Sequence, residues 1–323
     1  MRSTKLPSWT KRLLGLNPVA SPPHVFSLDE RQLRYGCFHR GPQGFVYEAA
    51  ESVDVPEGFF TEGPLGGPLA TTSELPPLIE DVCRRLPEPV KEASLVVPDT
   101  WLRLTFSEIG ELPRKTQARE DMLRWKLKRL VPFRIEDLRI SAEPVTPFPN
   151  QEEPARLLIG FAVERLLTQI EDAFRATGIA LGRITNTTLA VAASLEHALD
   201  PDSLVGLVTL QSDAYTLSFY RQGEPVLYRY KAITEGVVGS SVRRDLRLTT
   251  SFLQQHFDDT PLRRLFLAAP QEEEEVWLEW LFEEFGITPE PLAFEHFDIS
   301  RTQVGPTWLE TAPLLGAASL EVS

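Results

Sequence analysis

The sequence predicts an α/β protein of two lobes built on one plan. Three observations carry this. Sets of three short strands open at residues 24–52 and 204–232, each set leads on to helices alternating with further strands, and Asp200-Pro201-Asp202 breaks the two series apart. At 323 residues the chain can bury a substantial core and divide into lobes.

The elements follow in order. Residues 1–23 read as a tail in which Trp9, Leu13, Leu14 and Leu16, with Lys5, Lys11 and Arg12, make a short amphipathic stretch. Strands follow at Val25–Leu28, Leu33–His39 and Phe45–Ser52, the last two joined by a turn holding Gly41, Pro42 and Gly44. Residues 56–72 are a Gly/Pro-rich loop, Leu75–Leu86 a helix and Ala93–Val97 a buried-type strand closed by Pro98. Strands at 101–106 and 156–163 bracket the segment treated next. A helix at 164–177 stops at Gly178, a strand runs 179–185, and Asn186 or Thr187 caps a helix reaching about Leu199. The second series has strands at 204–210, 215–221 and 225–232, a helix at 240–257, a strand at 265–268, a helix at 271–285, a short strand at 292–294 and a final helix near 306–320. Glu272 to Glu275 open the 271–285 helix, where its dipole favours negative charge.

The most informative stretch is 114–145. Ala118, Met122 and Trp125, and one position on Leu123, Leu127 and Leu130, give a helix a broad apolar face; Pro132-Phe133 stops it, and Ile135, Leu138 and Ile140 lead into a strand. Eight basic side chains between Arg114 and Arg134 oppose Glu120 and Asp121, on a chain whose net charge is −13. That concentration suits either a solvated face or a docking surface for an acidic partner or anionic headgroups.

The bulk numbers exclude several classes. A net charge of −13 argues against wholesale nucleic-acid binding. Cys37 and Cys83 define neither a disulfide framework nor a metal site, and the five histidines lack zinc-like spacing. No apolar run is long enough to cross a bilayer and no signal-peptide core is present, which predicts a cytoplasmic protein with at most peripheral membrane contact. No serine–histidine, cysteine–histidine or paired-carboxylate constellation stands out.

The helix carrying Trp125, stopped by Pro132-Phe133 before the acidic turn Glu136-Asp137 and a strand, resembles a unit of the type IV pilus assembly protein PilM family, actin-like relatives of the cell-division protein FtsA. The resemblance covers roughly residues 24–320. It implies an actin-like fold with ribonuclease H-like lobes: a first lobe at 24–200 with a small α+β subdomain inserted at about 99–163, and a second lobe at 201–323. The latter lacks its own small subdomain, since only about seven residues separate strand 225–232 from helix 240–257.

Nucleotide chemistry in that superfamily implies two Gly-containing turns and an acidic metal holder. In the first turn Asp29 stands where the family's Asp would, but Arg31 replaces the Gly. In the second, Thr209 takes the place of the Asp and Gln211 that of the Gly. The Gly-Gly facing the adenosine becomes Ala268-Ala269. The expectation is a pseudo-ATPase without cofactor or metal, a scaffold at the cytoplasmic face of the inner membrane. It would grip the cytoplasmic tail of a bitopic PilN-type protein between the first lobe's body and the inserted subdomain. Arg119, Arg124 and Trp125 are the candidate contacts. The alternatives are a divergent ATPase that holds ATP and Mg through Asp29 and Asp213, and an L-type component of a type II secretion system. The latter family continues into a transmembrane helix, and this sequence stops at Ser323 without one.

Overall fold

The computed structural model describes residues 22–42, 44–61, 73–109, 113, 115–129, 131, 134–146, 155–195, 198, 202–212, 214–233, 238–300 and 307–320. The amphipathic stretch at 9–16, Arg114, Leu130, Pro132, Phe133 and Asp213 lie outside them.

The internal duplication is visible in the sheet order. The first sheet runs β14-β3-β2-β1-β4-β8, with β1 His24–Leu28, β2 Gln32–Gly41, β3 Gly44–Asp54, β4 Glu92–Val97, β8 Ala180–Asn186 and β14 Ile299–Ser300. The second runs β11-β10-β9-β12-β13, with β9 Leu204–Gln211, β10 Ala214–Arg221, β11 Glu224–Ala232, β12 Leu262–Ala268 and β13 Glu290–Pro291. Each starts as an antiparallel meander and then adds parallel strands on the far side of its first strand. The meander turn at Gln222-Gly223 has positive φ at both residues, 54° and 76°, the geometry that matches a two-residue hairpin to the strand twist.

Helices match in the same way. Helix α1 (Leu75–Arg84) links β3 to β4, as α5 (Val238–His256) links β11 to β12; α3 (Glu164–Ala176) precedes β8, as α6 (Gln271–Phe285) precedes β13. In the second lobe β12 passes directly into α6. In the first, β5 (Leu102–Ile109), α2 (Thr116–Lys128), β6 (Leu138–Val145) and β7 (Ala155–Val163) intervene, forming an antiparallel sheet of order β5-β7-β6.

Helix α2 covers that sheet with a narrower face than its sequence predicts. Leu123 and Leu127 are buried against Ile109, Ile135, Leu138, Leu157, Ile159 and Phe161. Ala118 is exposed, and Trp125 is 55% exposed. Met122 packs against the same cluster, half-buried.

The chain end corrects the expected lobe boundary. After β13 a 3-10 turn at Phe294–His296 replaces the strand expected at 292–294, and β14 then pairs with β3 of the first lobe. The last helix, α7 (Trp308–Ser319), packs on α4 (Thr187–Ser194) and on β1, β2 and β4. Residues 299–300 and helix α7 therefore pack with the first lobe, so 201–323 is not one body. Helix α4 ends at Ser194 rather than near Leu199. Every residue from Thr188 to Ser194 and from Thr311 to Ala318 is buried, because the two helices fill the space between the sheets in a core shared by Val25, Val96, Val205 and Phe266. Their crossing is set by Gly316: a Cβ there would run into the Ala190 carbonyl, with its carbon at 2.5 Å.

Candidate functional site

The positions singled out for nucleotide chemistry meet at one cleft between the lobes. Asp29, Arg31, Thr209, Gln211 and Ala268 line a cavity of about 250 Å³, with Trp308 and Glu310 of α7 closing one side. Ala269 sits just behind it in the second lobe's core, 1% exposed.

The first turn is closed on itself. The Asp29 carboxylate accepts the backbone N–H groups of Arg31 at 2.7 Å and Gln32 at 2.8 Å, and its second oxygen pairs with Arg34 Nη1 at 2.6 Å. The Asp29 N–H itself donates to the Gln32 carbonyl at 3.1 Å. Both N–H groups of this turn are thus held by its own carboxylate. Glu310 adds a second negative group: it caps α7 by accepting from the Thr307 N–H at 3.1 Å, and its other oxygen lies 3.6 Å from Arg34 Nε.

The second turn has become a cross-lobe bond. Gln211 Oε1 accepts the Asp99 N–H at 3.1 Å. Asp99, in the turn between β4 and β5, is fully buried. Its carboxylate accepts the Thr188 N–H at 3.0 Å and the Thr188 hydroxyl at 2.5 Å from the start of α4, Thr216 Oγ1 of β10 at 2.6 Å and the Tyr228 hydroxyl of β11 at 2.9 Å. Asn186 Nδ2 donates to the same Tyr228 oxygen at 2.7 Å while its Oδ1 caps α4 at Leu189. Burial pushes the Asp99 carboxyl above the usual carboxylate range, opposed by these hydrogen bonds. Sequence reasoning missed Asp99, because a lone acid after Pro98 carries no motif.

A second concavity, about 700 Å³, lies between the inserted subdomain and the second lobe. One wall is Phe106, Glu108, Trp125, Lys126 and Arg129; the other is Leu227, Arg229, Phe252 and His256, with Arg156 and Tyr228 between them. Trp125 is flanked by the Arg129 guanidinium at 5.3 Å and the Lys126 ammonium at 5.9 Å from its ring centre. Arg156 Nη2 donates to the Val226 carbonyl at 3.1 Å, and burial lowers this guanidinium to about 10, still charged at neutral pH. Of the three predicted contacts, only Trp125 lines the groove. Arg124 Nη1 donates to the Ile135 carbonyl at 2.7 Å and holds α2 to the turn before β6, while Arg119 Nε reaches the Pro113 carbonyl at 3.4 Å on an exposed face.

No family model and no curated protein matches the chain. Solved structures do. The PilM–PilN type IV pilus biogenesis complex aligns over 95% of this chain and 98% of that one, with a TM-score of 0.71 at 16% identity. A Bacteroides thetaiotaomicron protein with actin-like ATPase fold and unknown function aligns over 89% and 94%, with a TM-score of 0.50 at 10% identity. The chain has the actin-like fold. The cytoplasmic domain of EpsL, an inner-membrane component of the type II secretion system of Vibrio cholerae, aligns over 92% and 94% with a TM-score of 0.46 at 14% identity. The cleft holding Asp29 and Gln211 is therefore the interlobe cleft of an actin-like fold, and β5–β7 with α2 form the small subdomain of its first lobe. Among the described residues no helix is long and apolar enough to cross a membrane.

Proposed function

We propose that this chain is a non-catalytic, actin-like scaffold of a type IV pilus or related secretion assembly, working at the cytoplasmic face of the inner membrane. Its partner would be the short cytoplasmic tail of a PilN-type protein. The similarity to the PilM–PilN complex supports the partner class. The observation that carries the non-catalytic part is the closed first turn, where Asp29 already occupies the N–H donors a phosphate would need. The cleft's 250 Å³ also lies below the roughly 300–1,000 Å³ of ordinary ligand pockets.

The groove beside Trp125 suits a tail with an apolar anchor flanked by carboxylates. Trp125, Phe106 and Phe252 offer apolar surface, and Lys126, Arg129 and Arg229 outnumber Glu108 in charge. Two measurements test the proposal. Melting is followed with and without millimolar ATP and Mg, and a clear rise in Tm would sink the pseudo-ATPase reading. A fluorescein-labelled tail of a PilN-type protein from the same genome is titrated with the full chain, and absence of saturable binding would sink the scaffold reading.

A further inference from the structure

Outside both concavities, the first lobe's meander gathers three metal-ligating side chains. Cys37 and His39 lie two apart on β2 and so share a face. Glu48 of β3 would ordinarily alternate away from its neighbour Ala49. A bulge prevents this: Phe38 pairs with Tyr47 and Cys37 with Ala49, leaving Glu48 as the extra residue. Bulges re-aim side chains in this way. The result is Cys37 Sγ 3.6 Å from His39 Nε2, and His39 Nε2 3.0 Å from Glu48 Oε2, with all three ligand atoms within 4.8 Å of one another. Cys37 is buried, while His39 and Glu48 are half exposed where the sheet emerges from its cover, leaving an open approach.

The geometry separates two readings. A nucleophile–base–carboxylate relay needs the thiol on one imidazole nitrogen and the carboxylate on the other. Here both partners face the same nitrogen, Nε2. Three donors converging on one point suit a shared cation instead. A tetrahedral site with Zn–S about 2.3 Å and Zn–N or Zn–O about 2.0–2.2 Å sets its ligand atoms about 3.4–3.6 Å apart. The Sγ–Nε2 separation already matches, and the half-exposed Glu48 carboxylate stands 3.0 Å from the same nitrogen. Across β1, His24 stands directly opposite Cys37 in register, its Nδ1 2.7 Å from the Tyr35 hydroxyl. Thiolate, imidazole and carboxylate together favour zinc over the harder alkaline-earth ions.

We propose that Cys37, His39 and Glu48 form a zinc-class divalent-metal site with an open fourth position. Binding would release the thiol proton to solvent and fasten β2 to β3 at the bulge. The site stands independently of the scaffold reading.

The test titrates the reduced full-length chain with CoCl₂, a spectroscopic stand-in for zinc, then with ZnCl₂. Cobalt should give a thiolate charge-transfer band with intense visible absorption, and one equivalent of zinc should abolish both. His39→Ala and Glu48→Gln, at exposed positions where folding is safe, should weaken cobalt binding about tenfold or more, and Cys37→Ser should remove the charge-transfer band. Cys83→Ala should change nothing. No charge-transfer band in the wild type, a band insensitive to His39→Ala and Glu48→Gln together, or a band lost in Cys83→Ala would each overturn the proposal.

Discussion

Replacing Gly316 by alanine tests how closely α7 and α4 cross in the core between the two sheets. Its added methyl has nowhere to go: the Ala190 carbonyl oxygen lies inside its contact radius and the Ala190 carbon at 2.5 Å, where ordinary contact begins at 3.4 Å. Relief requires α4 and α7 to move apart, since the obstacle is backbone and no rotamer change clears it. That separation would loosen a core in which all residues from Thr311 to Ala318 are buried. Overpacking costs about 1–3 kcal/mol when side chains can yield, so a rigid backbone obstacle should cost at least about 3 kcal/mol net of alanine's better helix propensity. At roughly 1.5–2 °C per kcal/mol for a chain of this size, Tm should fall by about 5–6 °C. The control is the same change at Gly239 of α5, where the nearest atom to a new Cβ is Trp280 Cζ2 at 3.9 Å. Gly239→Ala should be neutral or stabilising by up to about 1 kcal/mol. Thermal and urea unfolding followed by circular dichroism decide the matter. A Gly316→Ala protein melting within about 1 °C of wild type would show that the helices do not cross this closely.

Three further outcomes follow from the site. Because burial raises the Asp99 carboxyl above its unfolded value of about 3.9, the native state holds its proton more tightly, so the group's stabilising contribution is complete below that pH and is lost as pH rises through the folded value. Asp99→Asn should therefore gain on wild type in Tm from about pH 4 upward, and a Tm difference that does not change with pH would refute the shift. Arg124→Glu should destabilise by about 1–3 kcal/mol through loss of its bond to the Ile135 carbonyl, whereas Arg119→Glu should stay within about 0.5 kcal/mol; equal melting of the two would contradict their different placements. Trp125→Ala should leave stability within about 0.5 kcal/mol yet weaken tail binding about tenfold or more, and a large fall in Tm would mean the indole is core after all.

What the sequence disclosed divides along local and distant chemistry. Strand and helix periods are local, so the two meanders and the helix at 271–285 read correctly from residue pattern alone. Trp125 fell in period with Ala118 and Met122, but burial depends on how wide a surface the partner sheet offers, which no helix sequence records. The destination of α7 was equally hidden: the pattern predicted a final helix near 306–320, and only the tertiary fold returns it to the first lobe against α4. Asp99 is the extreme case. Its partners stand 89, 117 and 129 residues away, and nothing near Pro98 signals that a carboxylate will be solvated by them. Asp29, Arg31, Thr209, Gln211 and Ala268 were singled out on a resemblance that supplied their spacing, and they line one cleft. That Asp29 is consumed by its own turn and Gln211 by the other lobe needed coordinates.

These bonds bear on the groove as well as on the cleft. One wall of the groove, Trp125 and Lys126, belongs to the first lobe's inserted subdomain, and the other, Arg229 and Phe252, to the second lobe. Its width is therefore set by the angle between the lobes. Asp99 and Gln211 bridge the lobes with side-chain hydrogen bonds and so bear on that angle. Fixing the walls before the partner arrives removes ordering cost from binding, so stability at Asp99 should convert into affinity at Trp125. Thr216→Val isolates the link, since Thr216 is fully buried, donates to Asp99 at 2.6 Å and does not line the groove. The variant should lose about 1–3 kcal/mol of stability and bind the PilN-type tail several-fold more weakly while still folding. Unchanged affinity at reduced stability would mean that the groove keeps its shape without the interlobe bonds, and that stability at Asp99 is not coupled to affinity at Trp125.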